Sequence, residues 1–157
     1  MGTIAQAEAC ALRLRRRDSC PAVGVGWHAA PRLGSFSYQG HSAYFVTCCT
    51  FGRRDWLTDA TRVDSVTEQL LQSAQASLFD VSAYCFMPEH VHALVEGTSD
   101  RSTFCPFMND FKQRTGYAHK QATAQRLWQQ GYYDRVLRPE DDRLRVIAYM
   151  LANPRAR

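Results

Sequence analysis

No apolar run in this 157-residue sequence approaches the roughly 18–20 residues that a membrane-spanning helix needs. A signal peptide is missing too. In MGTIAQAEACALRLRRRDSC the arginines follow the mildly apolar part, and no long apolar core comes after them. The cytoplasm is therefore the expected location. Cysteine is present, at positions 10, 20, 48, 49, 85 and 105, but no pair has C-x-x-C spacing. Cys48 and Cys49 are adjacent and would point to opposite faces of a strand. This pattern argues against a zinc knuckle and against a disulfide framework. The thiols read as small buried apolar residues in a reducing compartment. Internal repeats are lacking as well, which removes solenoid architectures.

What is present fits one domain with a core of its own. Hydrophobic residues make up 45% and charged residues 22% of the chain. The net charge of +4 is unevenly spread. Residues 1–100 hold 8 Lys and Arg against 10 Asp and Glu, a balance of −2. Residues 101–157 hold 11 against 5, a balance of +6. A basic C-terminal third suits a polyanionic partner, nucleic acid first, although an Arg-rich solvated surface would look the same.

Residues 1–35 carry RLRRR, scattered Gly and Pro, and no periodicity, so they are expected to be disordered or loosely attached. Order is expected from about residue 36. AYFVTCCT (43–50) is aromatic and β-branched, a strand. A helix follows, with Thr58 or Asp59 as N-cap and Val63, Val66, Leu70, Leu71 and Ala74 at helical spacing. FDVSAYCFM and HVHALVE read as two strands separated by Pro88-Glu89, and so as an antiparallel pair. Ser102 is the expected cap of a second helix striped by Phe104, Phe107, Met108 and Phe111. LWQQGYYDRVL (127–137) reads as a fourth strand. Pro139 falls in the first turn of a last helix, with Glu140, Asp141 and Asp142 at its positive end and a stop at Asn153-Pro154. The order β-α-β-β-α-β is that of an α+β ferredoxin-like sandwich, with an antiparallel sheet, helices on one face and a final added helix.

The chemistry concentrates in MPEHVHALVEG. Strand alternation puts His90 and His92 on one face, with Val91, Ala93 and Val95 turned toward the helices. The imidazoles would then look out from the uncovered face of the sheet, close enough to share a metal ion. Alone, H-x-H also occurs in strands for ordinary reasons. On the last helix Leu144, Ile147, Ala148 and Leu151 form the expected apolar stripe. Arg145, Tyr149 and Asn153 form a row on another side. Such a row is either an exposed polar face or the second half of a site. In the second case two imidazoles, an amide oxygen and a phenol come together, a mixed N/O set suited to Mg²⁺ or Mn²⁺. A metal can polarise a phosphodiester while a tyrosine attacks phosphorus.

PEHVH, with AYFVTCCT upstream and YMLANP downstream, resembles the tyrosine transposases of the HUH class, and within it the REP-associated tyrosine transposases. LWQQGYYDRVLR and FKQRTG are similar to that subgroup too. The similarity spans roughly residues 36–156. The resemblance implies that His90 and His92 bind the metal, that Asn153 is a third ligand where relatives often have Gln, and that Tyr149 is the nucleophile. It implies cleavage of single-stranded DNA beside imperfect hairpins such as REP elements, through a 5′-phosphotyrosine link that leaves a 3′-OH. It further implies a catalytic domain over 36–157, truncated at its C-terminal end because relatives continue past the NP dipeptide.

Within that picture Lys112, Arg114, Arg126, Arg135 and Arg138 would hold backbone phosphates. Tyr132, Tyr133 and Trp128 would stack on unpaired bases, unless they pack in the core or on the sheet. Glu89 is either a partner of a metal-bound histidine or an exposed turn residue. Other functions remain open at this point. A catalytically silent hairpin-binding protein of the same fold is one, an RNA-binding module is a second, and a metal hydrolase using water is a third. The protein would act as a monomer or as a homodimer.

Overall fold

The structure, a computed structural model, describes residues 36–139, 141 and 143–152. Strand β1 (Ala43–Cys49) alternates as its sequence requires. Tyr44, Val46 and Cys48 join one hydrophobic cluster, and Ala43 and Phe45 join another on the opposite face. Two 3₁₀ turns, Phe51–Arg53 and Trp56–Thr58, lead to helix α1 (Ala60–Ala76). Asp59 is its N-cap and accepts a hydrogen bond from the Arg62 amide at 2.8 Å. Val63, Val66, Leu70 and Ala74 are buried as their spacing predicts, whereas Leu71 lies at the surface.

Strands β2 (Phe79–Met87) and β3 (His90–Gly97) form the expected antiparallel pair. A register shift between Val81 and Ala83 reverses the parity of β2. Val81 faces the helices before it, and Ala83, Cys85 and Met87 face away after it. Helix α2 (Phe104–Thr123) buries Phe104, Phe107, Met108 and Phe111. Its N-cap is Thr103 rather than the expected Ser102. The Ser102 hydroxyl is buried and donates instead to the Leu78 carbonyl at 2.6 Å. That carbonyl also accepts from Thr98 N and Thr98 Oγ1, each at 2.9 Å, and so fixes a left-handed Leu78 (φ +61°). Gly97 is required beside this knot, since a Cβ there would sit 1.9 Å from the Gly40 carbonyl oxygen.

Strand β4 (Tyr133–Leu137) is shorter than the sequence pattern suggests. Residues 127–132 do not extend it, because Gly131 takes φ +74° and the Lys112 ammonium draws in the carbonyls of Gln129 and Gly131. Helix α3 (Arg143–Ala152) starts later than Pro139. Asp141 does not serve its positive end. Its carboxylate caps the preceding turn, accepting from the Arg138 amide at 2.7 Å and from Arg135 at 3.0 Å. Glu140, Asp142 and the expected stop at Asn153-Pro154 lie outside the described residues, as do residues 1–35.

The sheet order is β2-β3-β1-β4 with every neighbour antiparallel, which is the ferredoxin-like arrangement expected from the element order. Helices α1 and α2 cover one face around Tyr44, Val91, Val95 and Phe104. The other face is not open, contrary to expectation. Met150 of α3 is buried against Ala83, Cys85, Met87, Leu94 and Leu137, with Val146 and Ile147 packed beside it. Among the described side chains of α3, Val146, Ile147 and Met150 face the sheet, so Ile147 lies where expected, whereas Ala148 is exposed and Leu144 is 76% exposed. The Leu151 side chain lies outside the described ones. A helix lying across a sheet contacts it with residues one turn apart, and here that turn is Val146–Met150.

Candidate active site

His90 and His92 stand on the α3 side of β3, and both are buried rather than displayed. Their Nε2 atoms approach to 3.1 Å with the rings inclined at 75°. Each Nδ1 is turned to an oxygen. His92 Nδ1 lies 2.8 Å from Thr47 Oγ1, its cross-strand partner on β1. His90 Nδ1 lies 3.4 Å from Glu89 Oε1, and Glu89 is itself largely buried. The neighbouring His90 ring holds the Glu89 carboxyl below the usual carboxylate range, against the effect of its burial. Burial, reinforced by His90, pushes His92 down to about 3, so its imidazole is neutral near pH 7.

These contacts fit a metal ion. When Nδ1 of each ring carries the proton, given to Thr47 Oγ1 by His92 and directed toward the Glu89 carboxylate by His90 without a formed hydrogen bond, both Nε2 lone pairs point into one small space. Two lone pairs 3.1 Å apart repel, and a cation between them removes the repulsion. Two nitrogens bound at right angles to one hard divalent ion are separated by about 3 Å. Among the described residues no group of three or more His, Cys, Asp or Glu completes a cage. The expected third ligand, Asn153, lies outside the described residues.

An aromatic contact links the histidines to α3. The Phe45 ring stacks on His92 with centroids 5.2 Å apart, and the exposed Tyr149 ring meets Phe45 edge-on at 6.5 Å. Tyr149 thus stands on the same side of the sheet as the imidazoles, one ring removed. Arg143 ties the first turn of α3 to the sheet through Glu96 at 2.7 Å.

The expected DNA-contacting residues divide. Tyr133 pairs with Thr47, and Arg135 pairs with Phe45, so both lie on the histidine face of the sheet. Tyr133 is half exposed, and Arg135 is exposed beside Asp141. Arg138 is exposed at the end of the same strand. Tyr132 turns to the other face and packs edge-on against Phe104. Trp128 is not available for base stacking: it is buried, and its Nε1 donates to Thr115 Oγ1 at 2.7 Å. Lys112 does not reach the histidine face. Its ammonium binds main-chain carbonyls of the α2–β4 connection, and burial lowers its pKa. Arg114 sits on α2, across the sheet from the histidines, paired with Asp110 at 2.8 Å. Arg126 lies over the Phe51 ring at 5.3 Å. Thr47 and Phe45 were not singled out from the sequence. Their alternation in AYFVTCCT was legible, but the register that sets them against His92 was not.

The family described as "Transposase IS200 like" matches residues 38–149, more than half of the chain and inclusive of His90, His92 and Tyr149. The chain belongs to the IS200-like transposase family. The family resemblance read from PEHVH and YMLANP is thereby borne out. No curated protein matches this transposase. Among solved structures, a REP-associated tyrosine transposase bound to a REP hairpin has the same fold, with a TM-score of 0.64 and 17% identity over 80% of this chain and 73% of that one. A protein from Deinococcus radiodurans R1 assigned as a transposase superposes with a TM-score of 0.53 and 21% identity, covering 77% and 95%. As a transposase, the chain handles DNA strands by breakage and transfer. No helix among its described residues is long and apolar enough to cross a membrane.

Proposed function

We propose that this transposase is of the REP-associated kind and cleaves and rejoins single-stranded DNA beside hairpin structures. The observation that carries the reading is the pair of Nε2 atoms converging at 3.1 Å, with each Nδ1 backed by an oxygen and Tyr149 one ring away. A solved structure of the same fold holds a REP hairpin, which supports hairpin DNA as the partner.

His90 and His92, with Asn153, would hold Mg²⁺ or Mn²⁺. When bound, the ion supplies charge neutralisation at a scissile phosphate oxygen. The residues of the chain do the rest. Tyr149 Oη gives up its proton and attacks phosphorus in line. The new bond is the phosphotyrosine P–O bond at the 5′ side. The bond from phosphorus to the 3′ oxygen breaks, and that oxygen takes a proton to become the free 3′-OH. Because one phosphoester replaces another, the reverse attack by a 3′-OH rejoins a strand without a nucleotide cofactor. Thr47 orients the His92 ring, the Glu89 carboxylate favours a proton on the facing Nδ1 of His90, and Phe45 separates the tyrosine from the histidines. Tyr133, Arg135 and Arg138 would receive the strand on the same face.

The test is a labelled hairpin oligonucleotide incubated with Mg²⁺ or Mn²⁺ and run on a denaturing gel. A covalent protein–DNA band that is absent in Tyr149→Phe and His90→Ala supports the reading. Cleavage without the band points to water as nucleophile. Binding without cleavage points to a hairpin-binding protein that has no strand-transfer activity.

A further inference from the structure

The segment FGRR, between β1 and α1, is built against the site. The Thr50 amide donates to the Glu89 carbonyl at 2.9 Å, directly before His90, and its hydroxyl lies between that carbonyl at 3.0 Å and the Arg54 carbonyl at 2.7 Å. The Phe51 amide donates to the Leu127 carbonyl at 2.8 Å, and the Gln129 amide to the Cys49 carbonyl at 2.9 Å. Thr50 and Trp128 form an antiparallel bridge. The β1 exit and the α2–β4 connection therefore run side by side as a lip at the His90 end of the sheet.

The lip holds an unusual combination. Gly52 (φ +65°) and Arg53 (φ +54°) are consecutive left-handed residues, and the second has a Cβ, so the backbone there carries strain. A large aromatic residue, Phe51, is 45% exposed. The Arg126 guanidinium lies over its ring, and Arg54 is held to Gln125 across the lip. Arg53 lies close enough to Glu89 to help lower its pKa. One guanidinium, that of Arg126, thus covers an exposed ring, and two more arginines, Arg53 and Arg54, follow in the same short segment. Core packing does not account for a half-exposed phenyl group on a strained loop.

We propose that this lip is a stacking site for one unpaired nucleobase of the DNA strand next to the cleaved phosphate. Phe51 and the Arg126 plane supply the π-surface, while Arg53 and Arg54 take the flanking phosphates. The proposal rests on the reading of the protein as a single-strand transposase. It deepens that reading by adding Phe51, Arg53 and Arg54 to the strand path. A stacking platform tolerates any base, so the lip fixes the position of the strand rather than its sequence.

The test measures anisotropy of a fluorescent single-stranded oligonucleotide that flanks a hairpin, using the full chain. Phe51→Ala is expected to weaken binding on the order of tenfold, and Phe51→Leu similarly, whereas Phe51→Trp binds like the parent. A 2-aminopurine base moved along the flank is expected to lose fluorescence at one position, and to regain it in Phe51→Ala. Thermal melting of the variants checks that the fold is kept. Equal binding by parent, Phe51→Ala and Phe51→Leu, or quenching unchanged by Phe51→Ala, overturns the stacking site while leaving the transposase reading intact. A parent chain that binds no single-stranded DNA overturns the functional reading itself, and the stacking site with it.

Discussion

At the scale of single residues, the site is controlled by groups that would never touch DNA. Thr47 is the clearest. Its hydroxyl anchors the His92 ring at Nδ1, so Thr47→Val removes that anchor without changing the shape of the strand. Loss of such an outer partner is expected to weaken Mn²⁺ binding by about 10–100-fold, read by calorimetric titration. A second buried imidazole has a different consequence. His119 on α2 is buried against Trp56 with neither ring nitrogen hydrogen-bonded, and burial, aided by Arg62 on α1, lowers its pKa. Its folded pKa lies below the unfolded value of about 6.5, so the unfolded chain takes up the proton first. Stability is whole above about pH 6.5 and falls as pH drops toward the folded value. Urea unfolding at about pH 7 and about pH 5 should therefore show a smaller loss in His119→Phe than in the parent. His92 has the same sign and leaves a residual slope in that variant.

At the scale of elements, the strands and the helices were not equally legible. FDVSAYCFM is bounded by Leu78 and by Pro88, and its strand matches that sequence block residue for residue. LWQQGYYDRVL was over-read, because a lysine from a distant helix holds its first half out of the ladder. The last helix matches the expectation in kind and at Ile147, and departs from it at Leu144 and Ala148, which are exposed. Its sequence offers two apolar stripes, and only the sheet decides that Met150 goes in and Leu144 stays out. Met150→Ala is expected to cost about 2–5 kcal/mol in urea unfolding. Leu144→Ala should stay within about 0.5 kcal/mol. Formation of the covalent DNA adduct should fall with the first substitution and not with the second.

At the scale of the whole molecule, the charge asymmetry was visible in the sequence, but its geometry was not. The excess of cations after residue 100 is shared between two sides of one sheet. Lys112 and Arg114 lie on the helical side, already bound to carbonyls or to Asp110. Arg135 lies on the histidine side and Arg138 at the end of its strand. Salt dependence of binding separates the two groups. Each phosphate contact on a single strand contributes about 0.7 to the slope of log K against log salt. Arg135→Gln and Arg138→Gln are each expected to flatten the slope by about that amount in an anisotropy titration. Lys112→Gln should leave the slope unchanged and lower the melting temperature. The order β2-β3-β1-β4 was inferable from the sequence of elements, whereas coverage of the second face was not, since nothing local in α3 says which layer it joins.

The two halves of the site differ in what holds them. His90 and His92 lie on β3, laddered on both sides by β1 and β2. Tyr149 rides on a helix whose described side chains include a single fully buried one, Met150. Amide protons on β3 should exchange only through global opening, and those of α3 through a much cheaper local one, a contrast that deuterium uptake followed by mass spectrometry would display. Tyr149 then lifts away with its helix while the imidazole pair keeps its spacing. On the proposed mechanism, a strand joined to Tyr149 would be carried from one 3′ end to another by the opening of that helix.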